Sequence, residues 1–336
     1  MIDLVERLAP LSDQFNRPIT YLRVSVTDRC NLRCVYCMPE AGLPWIPKAE
    51  ILNFEEIEAI VRAAASVGVR SIRLTGGEPL IRRDLAHLVA RIARIDGIDD
   101  ISLSTNGLLL ADQMNALRTA GLRRVNVSLD TLRADRFQRI ARRPGLDRVL
   151  AGIDAALAAG LAPIKINVVV MRGENDDELL DFAELTRRRE VYVRFIEVMP
   201  VHENVGLQRD AYVAAAEMLE RIGARDGLHA VSGPGGNGPA RYFAFAGARG
   251  AVGVISPLSH DYCETCNRVR LSADGRLRLC LFGDNEIDLR TPLRGGASLE
   301  DIAGIFRGSM YVKPERHHLD LGKPASAMRA LSEIGG

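Results

Sequence analysis

The residues of this sequence best suited to chemistry are its cysteines. All six fall in two tight groups near opposite ends of the 336-residue chain: Cys30, Cys34 and Cys37, then Cys263, Cys266 and Cys280. Packing alone does not bring free cysteines so close together along a chain. Such groups would indicate disulfides in a short exported protein, but six cysteines in a chain of this length indicate metal ligation.

Each cysteine group offers three thiolates and no fourth. A structural zinc site takes four ligands in a closed tetrahedron, whereas a [4Fe-4S] cubane held by three cysteines leaves one iron open to a substrate. Two such clusters are the simplest interpretation. Two alternatives stay open: zinc with a distant fourth ligand, and His260 as a ligand of the second group rather than a solvated loop residue.

Four basic residues stand inside strand-like runs, where a packed barrel normally places Val, Ile or Leu: Arg23, Arg73, Lys165 and Arg194. Several cations facing one interior need a counter-charge. A triphosphate supplies it, because the arginine fork matches phosphate oxygens in pairs. Any one of the four is also compatible with an outward orientation. Together they predict a nucleotide site.

Strand-like and helix-like runs alternate up to residue 198. The predicted strands are 21–26, 71–75, 101–105, 124–129, 164–171 and 193–198, and the predicted helices are 55–67, 84–95, 112–120, 146–159 and 176–188. This alternation is typical of βαβ units and a parallel sheet. Six units are too few for a closed eight-stranded barrel. The predicted fold class is therefore α/β, an open, partial TIM-like barrel of about six βα units, with chemistry at the carboxyl ends of its strands.

The alternating pattern decays after Met199. Residues 1–200 are therefore predicted to form the barrel and residues 201–336 a smaller C-terminal cluster-binding domain, with short strands at 241–245, 251–255 and 277–281. The Gly- and Pro-rich stretch at 233–239 is typical of a surface loop, and we assign no function to it.

Composition and charge exclude several classes of protein. With 47% hydrophobic and 26% charged residues the chain is neither disordered nor fibrous. Its net charge of +1 provides no global field for nucleic acid or an anionic membrane, so neither is expected as a partner. Asp3, Glu6 and Arg7 interrupt any signal-peptide core. We expect a cytoplasmic protein, since a reducing compartment suits thiolate-held clusters.

Several motifs together resemble the radical S-adenosylmethionine (SAM) superfamily and, within it, the GTP 3′,8-cyclase family of molybdenum cofactor biosynthesis. CNLRCVYC at 30–37 and GGEP at 76–79 indicate the superfamily. The more specific motifs are VTDRC at 26–30, RLTGGEP at 73–79, NVSLD at 126–130, RFIE at 194–197, CETCNRVR at 263–270 and the terminal Gly335 and Gly336. The resemblance covers the chain from about residue 21 to its end. One departure is Ser104, where the family often has threonine; serine keeps the hydroxyl.

The resemblance implies roles for particular residues. The two cysteine groups hold one [4Fe-4S] cluster each, and SAM contacts are implied for Tyr36, Gly77, Ser128 and Met199. The residues implied or predicted to contact GTP are Arg23, Arg73, Ser104, Lys165, Arg194, Arg268 and Arg270. Arg268 and Arg270 are further implied in catalysis, together with the Gly335-Gly336 tail, which in the family enters the barrel beside the substrate.

The resemblance also implies a reaction. A 5′-deoxyadenosyl radical formed from SAM removes hydrogen from C3′ of GTP, and the C3′ radical attacks guanine C8, giving (8S)-3′,8-cyclo-7,8-dihydroguanosine 5′-triphosphate. Cyclic pyranopterin monophosphate synthase consumes this product, and the cyclase is a homodimer. No side-chain nucleophile is needed, so the remaining histidines are interpreted as surface or core residues: His87, His202, His229, His317 and His318.

Three other functions stay open on the sequence. Another radical SAM enzyme with an auxiliary cluster, such as a peptide-modifying maturase, would share the first cysteine group and the barrel. An iron–sulfur redox sensor would keep the cysteines but has no use for four interior bases. A zinc-stabilised binding module would contain zinc and no iron.

Overall fold

The computed structural model describes residues 10–161, 163–200, 209–235, 238–319 and 329–335. Strands and helices alternate through its first part: β1 (Tyr21–Ser25), α1 (Phe54–Ser66), β2 (Ser71–Thr75), α2 (Leu85–Ile92), β3 (Asp100–Thr105), α3 (Leu110–Thr119), β4 (Arg124–Ser128), α4 (Ala134–Ala141), α5 (Leu146–Ala158), β5 (Ile164–Val170), α6 (Leu179–Arg188) and β6 (Val191–Glu197). Local chemistry fixes these boundaries. At the start of α1, Asn53 and Glu56 form a capping box in which each side chain accepts a hydrogen bond from the other residue's backbone N–H.

The part of the chain after residue 200 is richer in short strands. Its elements are α7 (Ala215–Gly223), β7 (His229–Val231), β8 (Arg241–Ala244), β9 (Ala251–Ile255), β10 (Arg268–Leu271), β11 (Arg276–Arg278), β12 (Glu286–Asp288), α8 (Arg290–Arg294) and α9 (Leu299–Met310). Among the described residues, no helix is long and apolar enough to cross a membrane.

The twelve strands of the described residues belong to one sheet, in the order β12-β11-β10-β1-β2-β3-β4-β5-β6-β9-β8-β7. The eight strands from β10 through β1 and β6 to β9 are parallel, and an antiparallel ribbon extends each edge. The predicted α/β class with a large parallel sheet is confirmed. The parallel part is wider than the six predicted strands, because β9 and β10 join its two edges. The predicted domain boundary at residue 200 stays a prediction.

The two faces of the strands differ in chemistry. One face is apolar: Leu22, Val24, Ile72 and Leu74 are fully buried and belong to the main hydrophobic core that the helices share. The residues that alternate with them are polar or charged, as Arg23 is between Leu22 and Val24. Polar and charged side chains therefore line the interior face of the sheet. In a closed barrel, branched apolar side chains usually fill this space.

Candidate active site

The first cysteine group lies in the loop that leaves the carboxyl end of β1. Cys30, Cys34 and Cys37 all line one cavity, which we call the N-terminal cysteine cavity. The Cys37 N–H donates to the Cys34 carbonyl at 2.9 Å, and the Val35 N–H donates to the Ile140 carbonyl of α4 at 3.0 Å. The loop is thus closed on itself and held against α4, with its three thiols facing one space.

The glycines at 76 and 77 pack against this cysteine loop. The Gly77 N–H donates to the Thr27 carbonyl at 2.8 Å, and the Glu78 N–H donates to the Arg29 carbonyl at 2.7 Å. A Cβ on Gly77 would overlap the Arg29 carbonyl, and Gly76 has φ +155°. The two glycines are needed to join two loops backbone to backbone, and Gly77 also lines the N-terminal cysteine cavity.

Two buried carboxyl groups fix the walls of this cavity. Glu78 accepts hydrogen bonds from the Thr105 hydroxyl and from the Asn106 N–H, each at 2.7 Å, and Asp130 accepts one from the Tyr36 hydroxyl at 2.8 Å. Burial raises the pKa of Glu78 to about 7 and that of Asp130 to about 6. Both side chains act as rigid acceptors that orient neighbouring loops.

The thiols of the N-terminal cysteine cavity need a cationic partner. Burial raises the pKa of Cys30 to about 11 and that of Cys37 to about 12, so metal binding would have to displace both protons. In the parts of the chain that the structure describes, no three His, Cys, Asp or Glu side chains are arranged to hold a single metal ion. A cubane is less demanding, because each thiolate binds a different iron atom. The donor set therefore fits an iron–sulfur cluster.

A second cavity lies directly beside the first. We call it the central cavity; Tyr36, Ser104, Ser128 and Leu331 line both. Five arginines line it: Arg23, Arg73, Arg194, Arg268 and Arg270.

These arginines form a continuous basic surface. Arg23 on β1 stands in register with Arg270 on β10 and with Arg73 on β2. Burial, joined by the repulsion of neighbouring cations, lowers the pKa of Arg270 and of Arg194 to about 10. Among the described residues, no carboxylate forms an ion pair with Arg73, Arg194, Arg268 or Arg270. The Nε atoms of Arg73 and Arg268 are buried without a hydrogen-bond partner. Such a surface is complementary to a polyanion.

Of the residues predicted to contact GTP, Lys165 alone is not among the lining residues of the central cavity. It is 5% exposed, stands in register with Asn126, and donates to the Gly235 carbonyl at 3.5 Å. Burial and the nearby cations Arg194 and Arg124 lower its pKa to about 7. Lys165 thus adds a buried positive charge near Arg194 and Arg124.

The second cysteine group closes the other side of the central cavity. Cys263, Cys266 and Cys280 line one cavity, which we call the C-terminal cysteine cavity. It shares Tyr262, Arg268, Arg270 and Leu281 with the central cavity. His317 also lines it, although the sequence suggested a surface or core residue, whereas His260 is exposed and is not among its lining residues. The three cavities therefore lie in a row, with the arginines in the middle.

The C-terminal tail enters this row. The Gly335 carbonyl accepts hydrogen bonds from Arg23 at 3.0 and 3.2 Å and from Arg270 at 2.6 Å. Gly335 has φ +68°, and a Cβ there would overlap the Thr75 hydroxyl. Further back, Arg329 forms a bidentate pair with Asp274 at 2.9 and 3.0 Å. Gly336 lies outside the described residues, as does His202.

The structure brings together most of the residues predicted for the site. Of the SAM positions, Tyr36 and Ser128 line both the N-terminal cysteine cavity and the central cavity, Gly77 lines the first and Met199 the second. Ser104 accepts from Arg73 at 3.5 Å and lines both as well.

Several lining residues escaped the sequence analysis. Asn126 and Asn167 are inward-facing amides on β4 and β5, and the Asn126 Oδ1 is buried without a partner. The feature of the sequence that could have revealed them is a polar residue placed between two apolar residues of a predicted strand. Gly238 and Pro239, from the stretch to which we assigned no function, also line the central cavity.

Comparisons with known proteins give a consistent result. Residues 24–186 match the Radical SAM superfamily, and residues 191–319 match the family Molybdenum Cofactor Synthesis C. The chain is 53% identical to a GTP 3′,8-cyclase of Heliobacterium modesticaldum over 96% of this chain and 99% of the relative. It is 51% identical to a GTP 3′,8-cyclase of Pelotomaculum thermopropionicum over 97% of this chain and all of the relative.

Solved structures share the fold. Streptococcus suis SuiB bound to S-adenosylmethionine aligns with a TM-score of 0.62 at 14% identity, over 91% of this chain and 70% of SuiB. SuiB bound to the precursor peptide SuiA aligns with a TM-score of 0.57 at 15% identity, over 88% of this chain and 68% of SuiB. At this identity the likeness concerns the fold alone.

Proposed function

The chain belongs to the GTP 3′,8-cyclase family within the radical SAM superfamily, and from this membership we propose that it converts GTP to (8S)-3′,8-cyclo-7,8-dihydroguanosine 5′-triphosphate in molybdenum cofactor biosynthesis. The observation that carries the proposal is the arginine-lined cavity between two cavities that each carry three cysteines. Anaerobic reconstitution, iron and sulfide counting, and product analysis with GTP test it.

The N-terminal cysteine cavity would hold the first cluster and SAM. When bound, a reduced [4Fe-4S] cluster and SAM supply a 5′-deoxyadenosyl radical, which is chemistry that side chains cannot provide. Cys30, Cys34 and Cys37 would ligate the cluster. Tyr36, whose ring is held by Asp130, and Ser128 line the passage from this cavity to the central cavity, so they would orient the cofactor toward the substrate.

The central cavity would hold GTP by its triphosphate. Arg23, Arg73 and Arg270 present their guanidinium groups from three adjacent strands, and Arg194 faces the same space. Phosphate oxygens would accept hydrogen bonds from the Nε atoms of Arg73 and Arg268, which are buried without a partner. Tyr262 and Leu281 line both the central cavity and the C-terminal cysteine cavity, and we propose that the base of the nucleotide lies on this side, toward Cys263, Cys266 and Cys280.

The Gly335 tail would complete the site between the two clusters. Its carbonyl engages Arg23 and Arg270, so the tail orients two of the cations that would hold the substrate. Glycine suits the position because of its left-handed backbone and the contact with Thr75. The catalytic contribution we propose for Arg268, Arg270, Gly335 and Gly336 is positioning of the ribose relative to the radical source.

Arg73→Ala and Arg268→Ala should each weaken GTP binding much more than SAM binding. A charge-assisted hydrogen bond to phosphate contributes about 1.5–3 kcal/mol, so the Kd for GTP should rise roughly ten- to hundredfold. Isothermal titration with GTP and with SAM on reconstituted protein measures both. Arg148→Ala, which removes an exposed arginine paired with Asp112, is the matched control and should change neither. If the binding of GTP and the binding of SAM weakened equally, Arg73 and Arg268 would not belong to a separate GTP site.

GTP affinity should fall as the pH rises above about 7, through Lys165. The pKa of Lys165 is lowered to about 7 by burial and by Arg194, and a nearby triphosphate would raise it. Below that pH the ammonium is already charged, and binding needs no proton. Above it, binding must take up a proton, so the Kd should increase by up to about tenfold per pH unit.

GTP itself also titrates in this pH range. Comparing Lys165 variants with wild type distinguishes the titration of Lys165 from that of GTP. Lys165→Met should bind GTP more weakly and with a shallower pH dependence between pH 7 and 9, and Lys165→Arg, which stays charged, should also flatten the profile. Wild type and Lys165→Met with parallel pH profiles would show that Lys165 does not titrate with binding.

The remaining assignments are part of the same proposal. We propose two functional regions, 1–200 for SAM chemistry and 201–336 for the second cluster, and a reducing, cytoplasmic setting in which the six free cysteines can hold clusters. Cyclic pyranopterin monophosphate synthase would consume the product, and the chain would act as a homodimer. Size-exclusion chromatography with light scattering tests the oligomeric state.

A further inference from the structure

One buried lysine lies beside the second cysteine group without a function so far. Lys313 follows α9 and stands directly after the exposed Val312, yet is only 2% exposed. A lysine is almost never fully buried unless its charge is compensated. Its environment therefore calls for an explanation.

The Lys313 ammonium joins three parts of the C-terminal cysteine cavity. Its Nζ donates to the Leu279 carbonyl at 2.6 Å, to the Arg268 carbonyl at 3.3 Å and to the Cys266 Sγ at 3.6 Å. Leu279 directly precedes Cys280, and Arg268 begins β10 two residues after Cys266. All three ammonium protons are thereby used, and two of the three cysteines are held from one point.

No carboxylate balances this charge. Among the described residues, Lys313 has no ion pair with Asp or Glu, and its neighbours are carbonyl oxygens and sulfur. A buried ammonium without a counter-ion is costly. The Lys313 Nζ lies 3.6 Å from the Cys266 Sγ, so Lys313 and a thiolate at Cys266 would stabilise each other.

We propose that Lys313 is a positioning residue for the C-terminal cluster, which fixes Cys266 and Cys280 around one cavity and donates an N–H···S hydrogen bond to Cys266. This inference rests on the proposed function for the presence of the cluster. A cluster ligated by three thiolates is anionic, and Lys313 supplies counter-charge beside Cys266, in addition to Arg268 and Arg270, which line the same cavity. Hydrogen bonds to ligating sulfur also help to set the reduction potential, and a cationic donor favours the reduced form.

The test uses the full-length chain with Cys30, Cys34 and Cys37 replaced by alanine, so that all iron belongs to the C-terminal group. In that background Lys313→Met should retain less than half of the roughly four irons per chain. The iron that remains should have a more negative reduction potential in a titration followed by electron paramagnetic resonance. Lys313→Arg keeps the positive charge and should restore most of the iron.

Arg316→Met is the matched control. It removes a positive charge from the same segment, but Arg316 is 47% exposed and pairs with Asp261 and Glu264 rather than with a thiol. Its iron content and potential should equal those of the parent chain. Circular dichroism establishes folding, and if Lys313→Met does not fold, Lys313→Gln replaces it in the same measurements.

A folded Lys313→Met or Lys313→Gln chain with full iron and the parent potential would overturn the inference. So would equal loss of iron in Lys313→Met and Lys313→Arg, since that would indicate packing rather than charge. Neither readout involves GTP. A chain that failed to convert GTP would therefore refute the proposed function and leave the result for Lys313 standing.

Discussion

Cys34→Ala should abolish cleavage of SAM, whereas Cys266→Ala should leave measurable cleavage and lose the cyclised product completely. The reason is the separation of the two thiol sets. Cys34 lines only the N-terminal cysteine cavity and Cys266 only the C-terminal one, with the central cavity between them. Loss of Cys34 removes a ligand of the cluster that supplies the radical. Loss of Cys266 removes a ligand of the cluster toward which the base would be directed.

Two assays on the same reconstituted samples distinguish these variants. 5′-Deoxyadenosine, quantified by chromatography, reports SAM cleavage. The cyclised nucleotide is an isomer of GTP, so its chromatographic separation from GTP reports cyclisation. Each variant should also lose about half of its iron, since each disrupts one of two clusters. Equal loss of both activities in both variants would show that the cysteine groups act as one unit, contrary to the arrangement proposed here.

Gly335→Ala should reduce formation of the C3′–C8 bond by about a hundredfold or more, while leaving both clusters and SAM binding intact. A Cβ at this position overlaps the Thr75 hydroxyl, and φ +68° is unfavourable for alanine. The tail would have to withdraw, and the Gly335 carbonyl would leave Arg23 and Arg270. A shift of about 1 Å among positioning groups is enough for a loss of this size.

The glycine at 296 provides the matched control for this prediction. Gly296 also has a left-handed backbone, with φ +91°, but nothing lies within 4 Å of the position where a Cβ would be. Gly296→Ala carries similar backbone strain away from the site and should keep wild-type turnover. Deletion of residues 335–336 should reproduce the loss seen in Gly335→Ala. If the truncated chain cyclises GTP at the full-length rate, the tail has no role in catalysis.

Local patterns predicted most of the βα alternation. The strand predicted at 71–75 and the strand predicted at 251–255 match β2 and β9, and the helix predicted at 146–159 ends one residue earlier, as α5. These segments are long enough, or apolar enough, for their periodicity to stand out. Helix α4 was missed because its apolar face has only Phe137, Ile140 and Ala141 in eight residues.

Pairing between distant segments was beyond local reasoning. β10 reads as a polar run, RVRL, and is a strand because it pairs with β1, some 250 residues earlier in the chain. Its pairing, and that of β9 with β6, widens the parallel sheet from six strands to eight. Neither contact leaves a signal in the sequence near it, since sheet pairing is set by tertiary packing.

Some features of the candidate site could also be predicted from the sequence, and others could not. The cysteine groups and the cations within strands were predictable, because their residue types are unusual at their positions. The Lys313 contact with Cys266 and the anchoring of Arg329 by Asp274 were not, since each joins segments more than 40 residues apart. The position of Gly335 among the arginines was expected only from family resemblance, as a terminal Gly-Gly alone is typical of a frayed tail.

The central claim is that this chain binds GTP between two cysteine-held clusters and joins C3′ to C8. The most direct test is a single anaerobic turnover of reconstituted protein with SAM, reductant and GTP deuterated at C3′, followed by mass spectrometry of both products. We predict 5′-deoxyadenosine that carries the deuterium, formed in equal amount with a nucleotide that has lost the deuterium and separates from GTP on chromatography. Unlabelled 5′-deoxyadenosine with unchanged GTP would contradict the claim.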